Sequence, residues 1–401
     1  MTPPTPPARP RDARRRFPHL LHLPRLPRLL GALLAALALC AASLSGGTLA
    51  TAAVPEEARA SQQACGGGDA VVTGSQSTGF TTTYRGTTVY QGDNYIIAIW
   101  EALGSLTPGR TTQESVSVMA SGWIGNNTID LPSHTSFEVC GTMGVGSANG
   151  RGAIEAFDAT DVAIPHLTMT GSPWFGMHFG AVRGLHLGQI TLTLDTGLGI
   201  RFDRQASDST SVVMDHVFVS GTDNHGVETW NINGLDIGTV IARDVGYAGL
   251  LLNNTRNARI GLVDGHNVAT GTGYATFRMA NTAGRAADGG YTTNVVVDRV
   301  VAHGGGRGIF CVSQSGGLHI GEVELSGNGG NSVLIENCYN VTLASGTVDG
   351  GGEVRISSRS EFPVTRDVSI SLDVNGTAVR ESPCGQNISW HITGDAPQHI
   401  C

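Results

Sequence analysis

The chain has 401 residues, 40% of them hydrophobic, 14% charged and 6% aromatic, with 56 glycines, roughly twice the usual share. Glycine does not recur strictly at every third position, which excludes collagen, and Val, Ile, Leu and Phe recur throughout, which excludes general disorder. All 25 basic residues are arginine, so mechanisms that need a lysine base, a lysine Schiff base or a phosphate-loop lysine are closed to it.

In chain order, Arg9, Arg11, Arg14, Arg15 and Arg16 stand before an apolar run over 29–44, and Ala50-Thr51-Ala52 supplies small residues for cleavage. This pattern predicts an export signal over 1–52, and Arg14-Arg-Arg-Phe17 points to twin-arginine export. Cys40 follows Leu39, where lipid attachment wants a small residue. Cleavage after Ala52 removes seven arginines and Asp12, leaving 349 residues with 18 arginines against 32 carboxylates, a net charge of −14. So acidic a chain has no electrostatic footprint for nucleic acid or anionic membrane. Nothing after the signal is long and apolar enough to span a bilayer. The expected location is extracellular. Six cysteines remain, at 65, 140, 311, 338, 384 and 401, an even count that predicts disulfides. Fifteen pairings are possible, of which Cys384–Cys401 is the expected staple of the C-terminal end.

Residues 53–132 are expected to form an N-terminal cap. Within it, 98–106 (Ala-Ile-Trp-Glu-Ala-Leu-Gly-Ser-Leu), behind Asp93-Asn94, reads as a short amphipathic helix. Beyond it the chain repeats itself. Gly176-Met-His-Phe-Gly180, Gly199-Ile-Arg-Phe-Asp203, Gly226-Val-Glu-Thr-Trp230 and Gly249-Leu-Leu-Leu-Asn253 start 23, 27 and 23 residues apart. Gly308-Ile-Phe-Cys-Val312 and Ser332-Val-Leu-Ile-Glu336 start 24 apart. Second alternations lie between them, such as Leu185-His-Leu-Gly-Gln-Ile190 and Leu235-Asp-Ile-Gly-Thr-Val240.

Short alternating strands broken by Gly, Asn and Asp at a period near 23 describe coils of a parallel β-solenoid, with alternate residues turned inward. Asn231, Asn254 and Asn337 follow three of the strands, where asparagine suits left-handed corners and can bond to its copy on the next coil. No segment keeps a 3.6-residue period for long, which excludes a helical bundle, and the fixed spacing argues against a β-sandwich. The expected fold is an all-β, right-handed parallel β-helix of about ten rungs over 133–373, with a short N-terminal capping helix and a disulfide-bearing tail over 374–401. Over roughly 130–373 the chain resembles the pectin-lyase-like β-helix superfamily of secreted carbohydrate-active proteins.

If Ile200 and Phe202 face inward, Arg201 and Asp203 face outward. The same alternation exposes His178, Glu228, Trp230, Asn253 and Arg278 on neighbouring rungs. An aromatic platform, carboxylates and arginine forks on one wall suit a polysaccharide or oligosaccharide partner. Asp203 and Glu228 are the candidate catalytic pair. As diagonal neighbours their Cβ atoms are expected roughly 7–8 Å apart. Carboxyls about 6.5–9.5 Å apart leave room for the attacking water of an inverting glycosidase. Glu228, beside Trp230, is the expected acid and Asp203 the base, with Arg201 working against that assignment. His178, Arg201, His225, Trp230, Asn253 and Arg278 are the candidate substrate contacts. The alternative for Arg201 and Glu228 is a plain cross-rung ion pair.

Asn224-His225-Gly226 resembles the Gly-His-Gly of polygalacturonases, which implies a site role for His225, with Asp223 beside it. The paired aspartates of that family are missing from Asp195-Thr-Gly-Leu-Gly199, and its Arg-x-Lys motif cannot exist here. Three functions therefore stay open. The first is a secreted glycoside hydrolase without a resident cofactor. The second is a lyase or epimerase on a uronate polymer, for which the resemblance admits calcium. The third is a carbohydrate-binding solenoid without catalysis.

Overall fold

The computed structural model describes residues 65–401. The export signal expected over 1–52 and the first part of the cap region lie outside the described residues.

The chain winds into a right-handed parallel β-solenoid of about twelve coils. Its twelve-stranded wall runs from Ile129–Asp130 through Gly152–Phe157, Phe175–Gly180, Leu198–Phe202, Val227–Thr229, Leu250–Leu252 and Ala275–Met279 to Gln398–His399, each strand parallel to the next. The facing wall is built largely of long strands such as Arg183–Leu194, Ser209–Ser220 and Ile232–Arg243. More coils are present than the ten expected. The strands Glu114–Val118 and Ile129–Asp130 already pair into the walls, and Arg366–Asn375 with Gln386–Thr393 carries the last coil through the tail. The physical reason is that parallel pairing needs only matched backbone, so coils form where side-chain periodicity is weak.

Register converts the repeat into a core. Ile154, Met177, Ile200, Val227, Leu250, Phe277, Ile309 and Val333 lie opposite one another on successive strands, all fully buried. Each such side chain contributes about 1.5–3 kcal/mol over an exposed one. Phe179 and Phe202 stack in adjacent coils with centroids 5.5 Å apart. Asn231, Asn254 and Asn337 sit at corners with φ of 55°, 43° and 50°, and the Asn254 amide donates to Asn231 Oδ1, so the asparagine column is realised between the first two. At Gly199 a Cβ would come 2.3 Å from the Gly226 carbonyl, so only glycine lets these coils close.

Helix α1 (Tyr95–Gly104) lies within the expected cap and starts three residues earlier than expected, because the Asn94 side chain accepts from Ile97 N and so sets the N-cap. Its Tyr95, Ile96, Ala98, Ile99 and Ala102 are buried, and it packs beside an antiparallel meander of Ala70–Ser75, Gly79–Tyr84 and Thr87–Gly92. Cys384–Cys401 is bonded as expected. Cys65–Cys140 and Cys311–Cys338 are bonded too, the latter buried within the coil stack. Among the described residues no helix is long and apolar enough to cross a membrane.

Candidate functional site

On the outer surface of the twelve-stranded wall, register aligns Asp130, Glu155, His178, Arg201, Glu228, Leu251, Arg278 and Phe310 in one column. Just past the ends of their strands, Asp203, Trp230 and Asn253 hydrogen-bond back to the column, Asp203 to His178 and the other two to Glu228. Of the eight candidates, seven thus share one wall, and His225 stands at the corner that leads into it. Neighbouring strands are about 4.8 Å apart, so the six steps from Asp130 to Arg278 span about 29 Å.

The column is a charge network. Arg151 Nη2 lies 2.5 Å from Asp130 Oδ1 and 2.6 Å from Glu155 Oε2. Glu155 Oε1 accepts from Gly152 N at 2.6 Å and faces His178 Nδ1 at 3.3 Å. His178 Nε2 faces Asp203 Oδ2 at 3.1 Å, and Asp203 Oδ1 accepts from Gln205 N at 2.6 Å. Burial works to raise the Glu155 carboxyl, but His178, the Gly152 amide and Arg151 outweigh it and hold the group below the usual carboxylate range. His178 is buried between Phe157, edge-on at 4.8 Å, and Phe175 at 4.7 Å. Expected to touch substrate, it has instead both ring nitrogens on carboxylates. Asp203, a quarter exposed, is the reachable end of this chain.

Glu228 sits in a separate nest of donors. Its Oε2 accepts from Arg201 Nη1 at 2.6 Å, and its Oε1 from Trp230 Nε1 at 2.8 Å and Asn253 Nδ2 at 3.5 Å. The cross-rung ion pair weighed from the sequence is therefore present, and Arg201, Trp230 and Asn253 all serve Glu228. The Arg201 guanidinium also lies over the Phe175 ring at 5.3 Å.

His225 is buried. Its Nδ1 accepts from Ala248 N at 3.0 Å, and its ring stands edge-on to Tyr247 and Tyr274, which stack on each other 4.8 Å apart. Burial, with Arg278 and Arg201 nearby, lowers its pKa to about 3, so the ring is neutral at ordinary pH. Arg278 lies over Tyr274 at 4.6 Å and Phe310 at 5.3 Å, with a buried Nε that has no partner. Among the described residues it forms no ion pair. Its column neighbours are Leu251 and Phe310, so no carboxylate stands on the adjoining strands. Burial lowers its pKa from the ordinary arginine value.

The sequence reading passed over Glu155 and Arg151. In Gly152-Ala-Ile-Glu-Ala-Phe157 the glycine pairs with Phe175 and not Gly176, so a glycine-led template skips this coil. Extending the column one strand back from His178 would have found Glu155. Among the described residues the one group of three metal-capable side chains is Cys65, Glu138 and Cys140, and both cysteines are spent in a disulfide.

Compared with protein-family models, curated proteins and solved structures, the chain matches none.

Proposed function

We propose that this protein is a secreted, polysaccharide-degrading glycoside hydrolase of the pectin-lyase-like β-helix type, working in the groove on its twelve-stranded wall. The observation that carries this proposal is the alignment of Glu155, His178, Arg201 and Glu228 on four successive strands, with Asp203 beside them. Three disulfides are compatible with an oxidising, extracellular setting.

The surroundings favour the roles in the opposite order from the one expected. Glu228 meets only donors, which suits a carboxylate that must accept a proton from water. Asp203 is exposed to the groove and has His178 behind it as a proton carrier, which suits the acid. Asp203 gives its proton to the leaving glycosidic oxygen as the C–O bond breaks. Water attacks the anomeric carbon from the opposite face while Glu228 takes its proton. Proton exchange with solvent then resets both groups. A diagonal carboxylate pair, with Cβ atoms roughly 7–8 Å apart, suits the attacking water of an inverting reaction.

The test is incubation with a panel of neutral and uronate polysaccharides, with products read by mass. A hydrolysed product carries the mass of an added water at a new reducing end, and its absence across the panel would remove the proposal.

One observation favours the lyase alternative. Arg278 is a cation without a carboxylate partner among the described residues, whereas Arg151 and Arg201 are paired. Such a fork suits a uronate carboxylate. An unsaturated product, lighter by one water than the hydrolysed one, would decide for elimination.

A further inference from the structure

The groove does not end at the charge network. Trp100, on the solvent side of α1, is 43% exposed, yet its indole is fixed: Nε1 donates to the Thr128 carbonyl at 3.2 Å, and Thr128 Oγ1 donates to Gly152 O at 2.8 Å. It forms one side of a hollow of about 400 Å³ whose polar lining includes Asn126, Asn127, Asp130, Asn149 and Arg151. A second hollow, of about 520 Å³, shares Asp130 and Arg151 and continues to Glu155 and Phe157. Arg151 therefore lies between this hollow and the carboxylate–imidazole chain that ends on Asp203.

Two carboxamides of the hollow are unspent, while its Asn127, Thr128, Asp130 and Arg151 are hydrogen-bonded within the protein. Among the described residues, the side-chain amides of Asn126 and Asn149 have no hydrogen-bond partner. A Cβ on Gly146 would come 2.2 Å from Asn126 Oδ1, the free end of an exposed side chain. A locked, half-exposed indole beside two free carboxamides and a carboxylate is a setting for a ring with an apolar face and hydroxyl edges.

We propose that this hollow is a distal sugar subsite, in which a neutral pyranose lies on Trp100 and its hydroxyls bond Asn126, Asn149 and Asp130. This rests on the proposal that the groove holds a saccharide chain. The strand Ile129–Asp130 is three steps from Leu198–Phe202, about 14 Å. The subsite therefore engages the chain a few sugar units from the bond that is cut, and it lengthens the minimum oligosaccharide that binds well.

The experiment is calorimetric titration of xylo-, manno- and galacturono-hexasaccharides into the Asp203→Asn protein, in which turnover is expected to be lost, and into the same protein carrying Trp100→Ala or Trp100→Phe. For a hexasaccharide that binds, Trp100→Ala is expected to weaken affinity at least tenfold and Trp100→Phe to restore most of it, with melting temperatures unchanged. Asn126→Ala is expected to weaken the same hexasaccharide severalfold. Equal affinity in Trp100→Ala, or loss that Phe does not restore, overturns the subsite while leaving the catalytic proposal standing. If no hexasaccharide binds the parent protein, the groove itself is not a saccharide site and both proposals fall.

Discussion

His178 Nε2 stands 3.1 Å from Asp203 Oδ2, while the other nitrogen of the same buried ring faces Glu155. Two carboxylates on the coils either side of His178 are thus joined through one imidazole, and only the Asp203 end reaches solvent. As a positioning residue, His178 should matter for proton delivery more than for binding. His178→Gln is expected to lower kcat about 100-fold, leave KM within threefold and reshape the acid limb of the pH–rate profile. Glu155→Gln should do the same more weakly. An unchanged pH profile in both would give the chain a purely structural role.

Glu228 invites a test that separates stability from chemistry. Arg201→Met alone leaves Glu228, almost buried, without its cation, a change that costs about 3–5 kcal/mol when a buried pair is broken. The double variant Arg201→Met with Glu228→Met should recover most of that stability, since an apolar pair of similar volume can replace a buried ion pair. Chemical denaturation should show the recovery, and turnover should stay lost. Turnover in the double variant would reduce the pair to a structural feature.

Arg278 should read charge. If its free fork takes an anionic sugar, Arg278→Met is expected to weaken a galacturonate oligomer about tenfold or more. It should leave a neutral xylo-oligosaccharide of equal length unaffected, and raised salt should narrow the difference. Equal loss for both sugars would assign Arg278 to packing between Tyr274 and Phe310.

His225 makes the acid side of stability steep. Its folded pKa, lowered by burial to about 3, lies below the ordinary 6.5. Between those values the unfolded chain takes up a proton that the folded chain refuses, so this contribution is full above pH 6.5 and falls as pH drops toward 3. His225→Asn, which keeps an acceptor for Ala248 N without titrating, should flatten the dependence of melting temperature on pH across that window. An unchanged slope would mean that other groups set it.

Much of the fold was legible because a solenoid writes its register into the chain. Glycines 23 to 27 residues apart placed Ile200, Val227 and Leu250 in one buried column, and alternation placed Arg201 and Glu228 face to face. What alternation could not show was which outward groups pair. That His178 bonds Asp203 and Asn253 bonds Glu228 depends on side-chain geometry that no spacing encodes. The ends were harder still. Glu155 lies in a coil whose glycine is shifted by one position, and Trp100 shares a hollow with Asn126 and Asn149 only through the packing of α1.

The central claim is that Asp203 and Glu228 divide the acid and base work of one reaction. The most direct measurement is the turnover of Asp203→Asn and Glu228→Gln, each checked for an intact melting transition, on the polysaccharide that the wild-type protein degrades. Loss of turnover by at least three orders of magnitude in both, with the fold retained, is the expected result. Near wild-type turnover in either folded variant would contradict it.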